Sequence, residues 1–193
     1  MYNLIFKRRS VRFFKDTDIS KVDMREILRA GMWAPSAKNR QPWKFIVVKG
    51  ESKKTALALM EKGSEKGEGV LAGAPELFTN ARFTLQCMKQ APVLVFIVNP
   101  QGRPLTDNWT AAEKIHELSD VQAIGAAAEN MALQATSMGI GSLWIGNIFF
   151  AYDELHDWLG EGEMVMAMSF GYPNHNPCPL ARKSEDDVIE VRL

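Results

Sequence analysis

The chain has 193 residues, enough for one domain with a substantial core and too few for two of ordinary size. Apolar residues make up 46% and charged residues 24%, the balance of a soluble globular protein. Basic and acidic side chains number 23 each, so no global field attracts nucleic acid or an anionic membrane, and no run approaches the roughly 18 apolar residues of a membrane helix.

The opening MYNLIFKRRS lacks the apolar stretch of a secretory signal. Cys87 and Cys178 are far apart and form no C-x-x-C, which suits a reduced cytoplasmic protein and argues against a zinc or iron–sulfur site. No metal is expected. Charge is local: the first dozen residues hold Lys7, Arg8, Arg9 and Arg12 and no acid.

In chain order, residues 20–32 predict a helix, with Ser20 as cap, Asp23 at the third position and Val22, Ile27 and Leu28 near one face. Gly31 and Pro35 end it. After PSAKNRQP, residues 43–50 (WKFIVVKG) read as a strand. A charged helix is expected over 51–62, then a glycine-rich surface loop over 63–73. That loop is no phosphate cradle, because no G-K-S/T follows it. From Pro75 to Gln90, Leu77, Ala81, Leu85 and Met88 form a helical stripe. PVLVFIV (92–98) reads as a strand buried on both faces. Residues 99–118 are polar and are expected to be irregular. An alanine-rich helix follows over 119–138, closed by Gly139. Its small side chains suit either a tight core or a helix–helix interface. SLWIGNI (142–148) and EMVMAMSFGY (163–172) predict strands, YDELHDWL (152–159) a short helix, and the terminal VIEVRL is strand-like without a nearby hairpin partner. Interleaved helices and strands without a regular βαβ repeat favour an α+β sheet covered by helices.

Four segments offer chemistry, and each alone also has an ordinary structural reading. Arg8-Arg9-Ser10-Val11-Arg12 clusters three guanidinium forks and a hydroxyl, donors suited to a phosphate; a solvated basic turn would look the same. The loop 35–43 (PSAKNRQPW) carries Ser36, Asn39 and Gln41 between two prolines, groups able to read an amide-like edge or merely to connect two elements. GIGSLWIG (139–146) follows a helix and enters a strand, the reverse of the dinucleotide fingerprint. Gly146 there leaves room for a planar ligand to approach the backbone. Arg182-Lys183 could complete a phosphate site or form a surface pair.

In this order, R-R-S-x-R, A-P-S-A-x-N-x-Q-P-W (34–43), an alanine-rich helix entering G-x-G-S-x-W-I-G, F-G-Y-P and an Arg-Lys pair, the chain resembles the nitroreductase family over essentially its whole length. The resemblance implies one FMN-binding domain over 1–193. It implies an α+β fold, a three-layer sandwich around a mostly antiparallel sheet, in an interlocked homodimer that exchanges C-terminal tails. VIEVRL would then pair with the partner's sheet. Arg8 and Arg182 would hold the FMN phosphate with Lys183 helping, and Arg9 and Ser10 would contact phosphate and ribityl chain. Arg12 would lie at the N1/C2 edge of the ring and support negative charge on it. Ser36, Ala37 and Asn39 would reach the flavin of the other subunit, and the backbone at Ile145 and Gly146 would approach the N5/O4 side. A further contact is expected after the second helix; no residue of 63–73 aligns with it, and Asn80 is the one considered. Trp109 and His116 would belong to a substrate lid.

The implied activity passes hydride from NAD(P)H through flavin N5 to a small-molecule acceptor, a nitroaromatic, a quinone or a relative, by a ping-pong route. The chemistry belongs to the cofactor, so no dedicated catalytic residue is expected, and His156 and His175 are read as structural or surface residues. The alternatives are a specialised flavin enzyme (dehalogenase, ene-reductase or dehydrogenase) and a non-catalytic flavin-binding protein.

Overall fold

A computed structural model of the chain describes residues 2–66 (Tyr2 by its backbone alone), 80–104, 107–160 and 162–192. Strand β2, Val93–Asn99, is buried at every position, as its unbroken apolar run requires. It forms the second strand of a four-stranded sheet ordered β1-β2-β4-β3, with β1 at Lys44–Val48, β3 at Gly141–Ile145 and β4 at Glu163–Gly171. All three pairings are antiparallel, with Phe45 opposite Ile97, Phe96 opposite Ala167 and Ser142 opposite Phe170.

Alternation along β2 sends side chains into two cores. Leu94 and Phe96 join residues of α3 (Gly50–Lys66), α4 (Ala81–Gln90) and α6 (Tyr152–Leu159). Val93, Val95 and Ile97 join α2 (Lys21–Met32) and α5 (Ala111–Ser137) on the opposite face. Helices therefore cover both faces of the sheet, in line with the expected α+β fold and antiparallel sheet. Each large side chain fully buried in these layers contributes about 1.5–3 kcal/mol.

Helix α2 begins as the sequence predicts, with the Ser20 hydroxyl accepting the Asp23 amide at 3.0 Å. Three expectations need correction. The alanine-rich helix starts at Ala111, not 119, because Thr110 and Glu113 form a capping box. Its first two turns therefore occupy a segment read as irregular. Helix α3 runs through Lys66, so residues 63–66 are helical rather than loop; residues 67–73 of the expected loop lie outside the described residues. Gly63 packs so closely on the turn before α6 that a Cβ there would sit 2.5 Å from Ala151 Cα. Finally, VIEVRL forms no strand in the single chain. The Val188 and Ile189 amides donate to Glu185 O in a turn, and Val188, Ile189 and Val191 are exposed. A strand needs a ladder partner, and among the described residues none pairs with 188–192. A short helix α1, Tyr2–Lys7, also precedes the basic cluster, and residues 75–79 of the helix predicted over 75–90 lie outside the described residues.

Candidate cofactor cleft

The basic segment lies against the edge of β3. Ser10 bridges Ser142 in parallel, and the Val11 amide donates to Ser142 O at 2.9 Å. This approach depends on Gly141, where a Cβ would stand 2.8–3.0 Å from three atoms of the Val11 side chain. Farther along, the Lys15 amide donates to Tyr172 O at 2.8 Å and the Asn174 amide to Phe13 O at 3.0 Å. These bonds tie the N-terminal segment to the chain leaving β4, and so bring the two remote cationic groups of the sequence to one place.

The result is a cleft of about 670 Å³ lined by Arg8, Arg9, Ser10, Arg12 and Arg182, with Cys178 and Leu180 on its wall. A second cleft of about 300 Å³ adjoins it through the shared Arg12 and is lined by Asn80, Thr84, Cys87, Ile145, Gly146 and Asn147. Both volumes fall in the range of roughly 300–1,000 Å³ usual for cofactor sites. At Gly146 the second cleft is open: a Cβ built there meets no atom of the described residues within 4 Å.

The cations are not equivalent. Arg8 is oriented by Glu129 of α5 through an ion pair at 3.0 Å, which occupies Nε and leaves the rest of the guanidinium fork. Arg9 turns back to donate to Phe6 O at 2.6 Å and Arg8 O at 2.8 Å, satisfying carbonyls at the end of α1 while still lining the cleft. Arg12 donates only weakly to Ser10 O, at 3.4 Å. Its charge opposes the effect of burial on Cys87, whose thiol is nevertheless pushed above its ordinary range. Lys183 is exposed and does not line the cleft beside Arg182.

Ser36, Ala37 and Asn39 line neither cleft of their own chain. Their loop is rigidly built instead: Ala37–Asn39 make one 3-10 turn, and Ser36 Oγ accepts the Gln41 amide at 2.9 Å. Lys38, Asn39 and Gln41 all adopt positive φ, at 54°, 55° and 51°. For residues with a Cβ this is a disfavoured backbone, and such strain clusters at ligand-contacting loops. Trp109 and His116 come together, but in a separate pocket of about 260 Å³ that includes Arg40 and Asp120. There the Trp109 indole donates to Pro104 O at 3.2 Å, and Arg40 pairs with Asp120 at 2.6 Å.

Asn147, Thr84 and Cys87 were not foreseen from the sequence. Asn147 directly follows the glycine singled out there, and that adjacency was the available signal. Thr84 and Cys87 lie to one side of the predicted apolar stripe of α4, and only the fold shows that this side faces the second cleft. Asn80, at the start of α4, makes no capping bond through its side chain and lines the second cleft.

The chain matches the nitroreductase family over residues 5–172. It is 33% identical over 196 residues to an Archaeoglobus fulgidus protein named as an NADH dehydrogenase/NAD(P)H nitroreductase, an alignment covering 97% of this chain and 88% of the relative. It is 26% identical over 190 residues to an iodotyrosine deiodinase of Thermotoga neapolitana, covering 96% and 94% of the two chains. Among solved structures it is similar to a nitroreductase in complex with FMN from Desulfovibrio desulfuricans, with a TM-score of 0.74 and 25% identity over 100% of this chain and 96% of the other.

Proposed function

The chain belongs to the nitroreductase family, and on that premise we propose that it is an FMN-dependent, NAD(P)H-using oxidoreductase that reduces an organic acceptor of the nitroaromatic or quinone type. The observation that carries this reading is the convergence of Arg8, Arg9, Ser10 and Arg182 in one cleft that continues, through Arg12, into an open slot beside Gly146. FMN suits this donor set: a cationic end for a phosphate and a narrower end with a backbone bare of side chain for a planar ring. Bound there, FMN would supply the redox chemistry, taking reducing equivalents from NAD(P)H and giving them to the acceptor.

The chain's own residues do the holding and tuning. Arg8, aimed by Glu129, and Arg182 grip the phosphate, with Lys183 adding charge from outside. Arg9 and Ser10 contact phosphate and ribityl chain, while Arg12 sits at the N1/C2 edge and favours negative charge on the ring. The Ile145 and Gly146 backbone meets the N5/O4 side. Ser36, Ala37 and Asn39 serve the flavin of a partner subunit, where their strained, prebuilt loop costs little to order. Trp109 and His116 frame the acceptor lid.

The working form is a homodimer of single 1–193 domains in a three-layer sandwich. Exposed Ile115, Leu118 and Val121 on α5 and Val188, Ile189 and Val191 on the tail support this, because apolar surface on a long helix and on an exposed terminal segment both ask for a partner. Neither nucleic acid nor membrane is a partner; no helix among the described residues is long and apolar enough to cross a membrane. Free Cys87 and Cys178 fit a cytoplasmic location.

The purified protein should be yellow or take up added FMN, and anaerobic NADH or NADPH should bleach it. Arg8→Ala and Arg182→Ala should each weaken FMN binding roughly 10- to 100-fold, from the strength of charge-assisted bonds, with little change in melting. A colourless preparation that ignores FMN refutes the proposal. The likeness to iodotyrosine deiodinase supports one second reading, reductive dehalogenation, tested by halide release from a halogenated phenol.

A further inference from the structure

Within residues 36–41, three residues with a Cβ, Lys38, Asn39 and Gln41, hold positive φ, a shape that persists only where the surroundings enforce it. The bonds inside the loop close it on itself. The Asn39 amide donates to Ser36 O at 3.0 Å, the Arg40 amide to Ala37 O at 3.1 Å and the Gln41 amide to Ser36 Oγ at 2.9 Å. Among the described residues, one side chain ties this loop to another element: Arg40 Nε and Nη2 both donate to Asp120 Oδ1 of α5, at 3.1 and 2.6 Å. Asp120 is 7% exposed, so the bond is charge-assisted and largely shielded from water, unlike a surface pair.

Helix α5 holds a second pair of this kind, in which Glu129 orients Arg8 at the cationic cleft. Asp120 and Glu129 are nine residues apart. At about 100° and 1.5 Å per residue, they stand on opposite sides of the helix and about 13 Å apart along it. One arginine is thus held toward its own chain's cleft, and the other, with its loop, on the far side of α5. Ser36, Ala37 and Asn39 accordingly line neither cleft of their own chain.

We propose that Arg40 is a positioning residue: paired with Asp120, it fixes residues 36–41 in the shape that meets the flavin of the partner subunit, so that the pair in each subunit governs FMN binding at the other subunit's site. The inference rests on the FMN reading above and adds a pair that acts through the loop rather than on the cofactor. Without the pair the loop keeps its internal bonds but loses its hold on α5. FMN must then order the loop on binding, and affinity falls by the cost of doing so.

The test is FMN affinity in homodimers and in a mixed dimer, with thermal melting to establish that each variant is folded. Arg40→Ala leaves a buried carboxylate unpaired and can cost folding, so Arg40→Met/Asp120→Leu, which removes both charges, carries the same expectation. Its homodimer should bind FMN about 5- to 30-fold more weakly than wild type, the affinity lost when a few side chains must be ordered on binding. Arg40→Lys, which keeps the charge, should recover most of that loss. The mixed dimer joins a chain of Arg40→Met/Asp120→Leu to a chain of Arg8→Ala/Arg182→Ala, each carrying a different tag. Both homodimers have two weakened sites. The mixed dimer unites the intact phosphate residues of one chain with the intact loop of the other, and should bind one FMN with wild-type affinity. Wild-type affinity in the Arg40→Met/Asp120→Leu homodimer, or no recovered site in the mixed dimer, overturns the inference and leaves the FMN reading intact. If wild type binds no FMN, the functional reading fails and this inference fails with it.

Discussion

Gly141→Ala isolates the contact that holds the basic segment in place. The new methyl would meet Val11 Cγ2 at 2.8 Å, Cβ at 2.9 Å and Cγ1 at 3.0 Å, distances that real side chains do not share, so one segment must give. Strand β3 is paired along its length with β4, whereas Val11 is held to β3 by one amide bond to Ser142 O. The N-terminal segment is the part that should yield, carrying Arg8, Arg9, Ser10 and Arg12 outward. Overpacking of this kind costs about 1–3 kcal/mol. If the displaced segment bears it, FMN affinity falls roughly 5- to 150-fold. Fluorescence quenching of FMN on titration with protein measures the affinity, and urea unfolding measures the stability. Val11→Ala removes two of the three clashing atoms, so the double variant should lose less than the sum of the single losses, by at least about 0.5 kcal/mol. Strict additivity, or an affinity equal to wild type in Gly141→Ala, would refute the reasoning.

Two further outcomes follow from the packing around α5 and α6. Burial pushes the Glu163 carboxyl above its ordinary value of 4.5, with the Tyr152 hydroxyl bond at 2.8 Å only partly opposing. A group raised on folding contributes stability that is full below its unfolded value and is lost as pH rises through its folded value. Melting temperature should therefore carry a component that declines as pH rises above about 4.5, and Glu163→Gln should remove it and melt higher than wild type at neutral pH. The same pH slope in both proteins would exclude Glu163 as its source. Thr110→Ala removes one half of the capping box on α5 and should cost about 0.5–2 kcal/mol. Hydrogen exchange should then quicken at the amides of 111–118 and shift the pocket of Trp109 and His116, and unchanged protection there would show that the cap does not set that turn.

The elements legible in the sequence were those whose burial is written in their own side chains. β2 is apolar at consecutive positions and is buried on both faces; α2 carries its cap and stop residues within its own span. Boundaries were missed where the deciding interaction is exposed and polar, as at Thr110–Glu113, or where a glycine is needed for contact rather than for a turn. Gly63 is such a case: in sequence it opens a glycine-rich stretch, yet in the fold it is a helical residue pressed on Ala151.

The site divides in the same way. Arg8, Arg12, Gly146 and Arg182 could be named because residue type alone suggests what they bind: guanidinium for phosphate, a bare backbone for a planar ring. Their union could not be read from the chain, since Arg12 and Arg182 are joined only through the bonds between the N-terminal segment and the strand edge that precedes Arg182. Nor could the pairing of Arg40 with Asp120, because the two lie 80 residues apart and only the fold sets them side by side. Local propensity and side-chain chemistry travel with the sequence, and these set the elements and the kind of ligand. Partnership and close approach are long-range properties, and only the tertiary structure decided them.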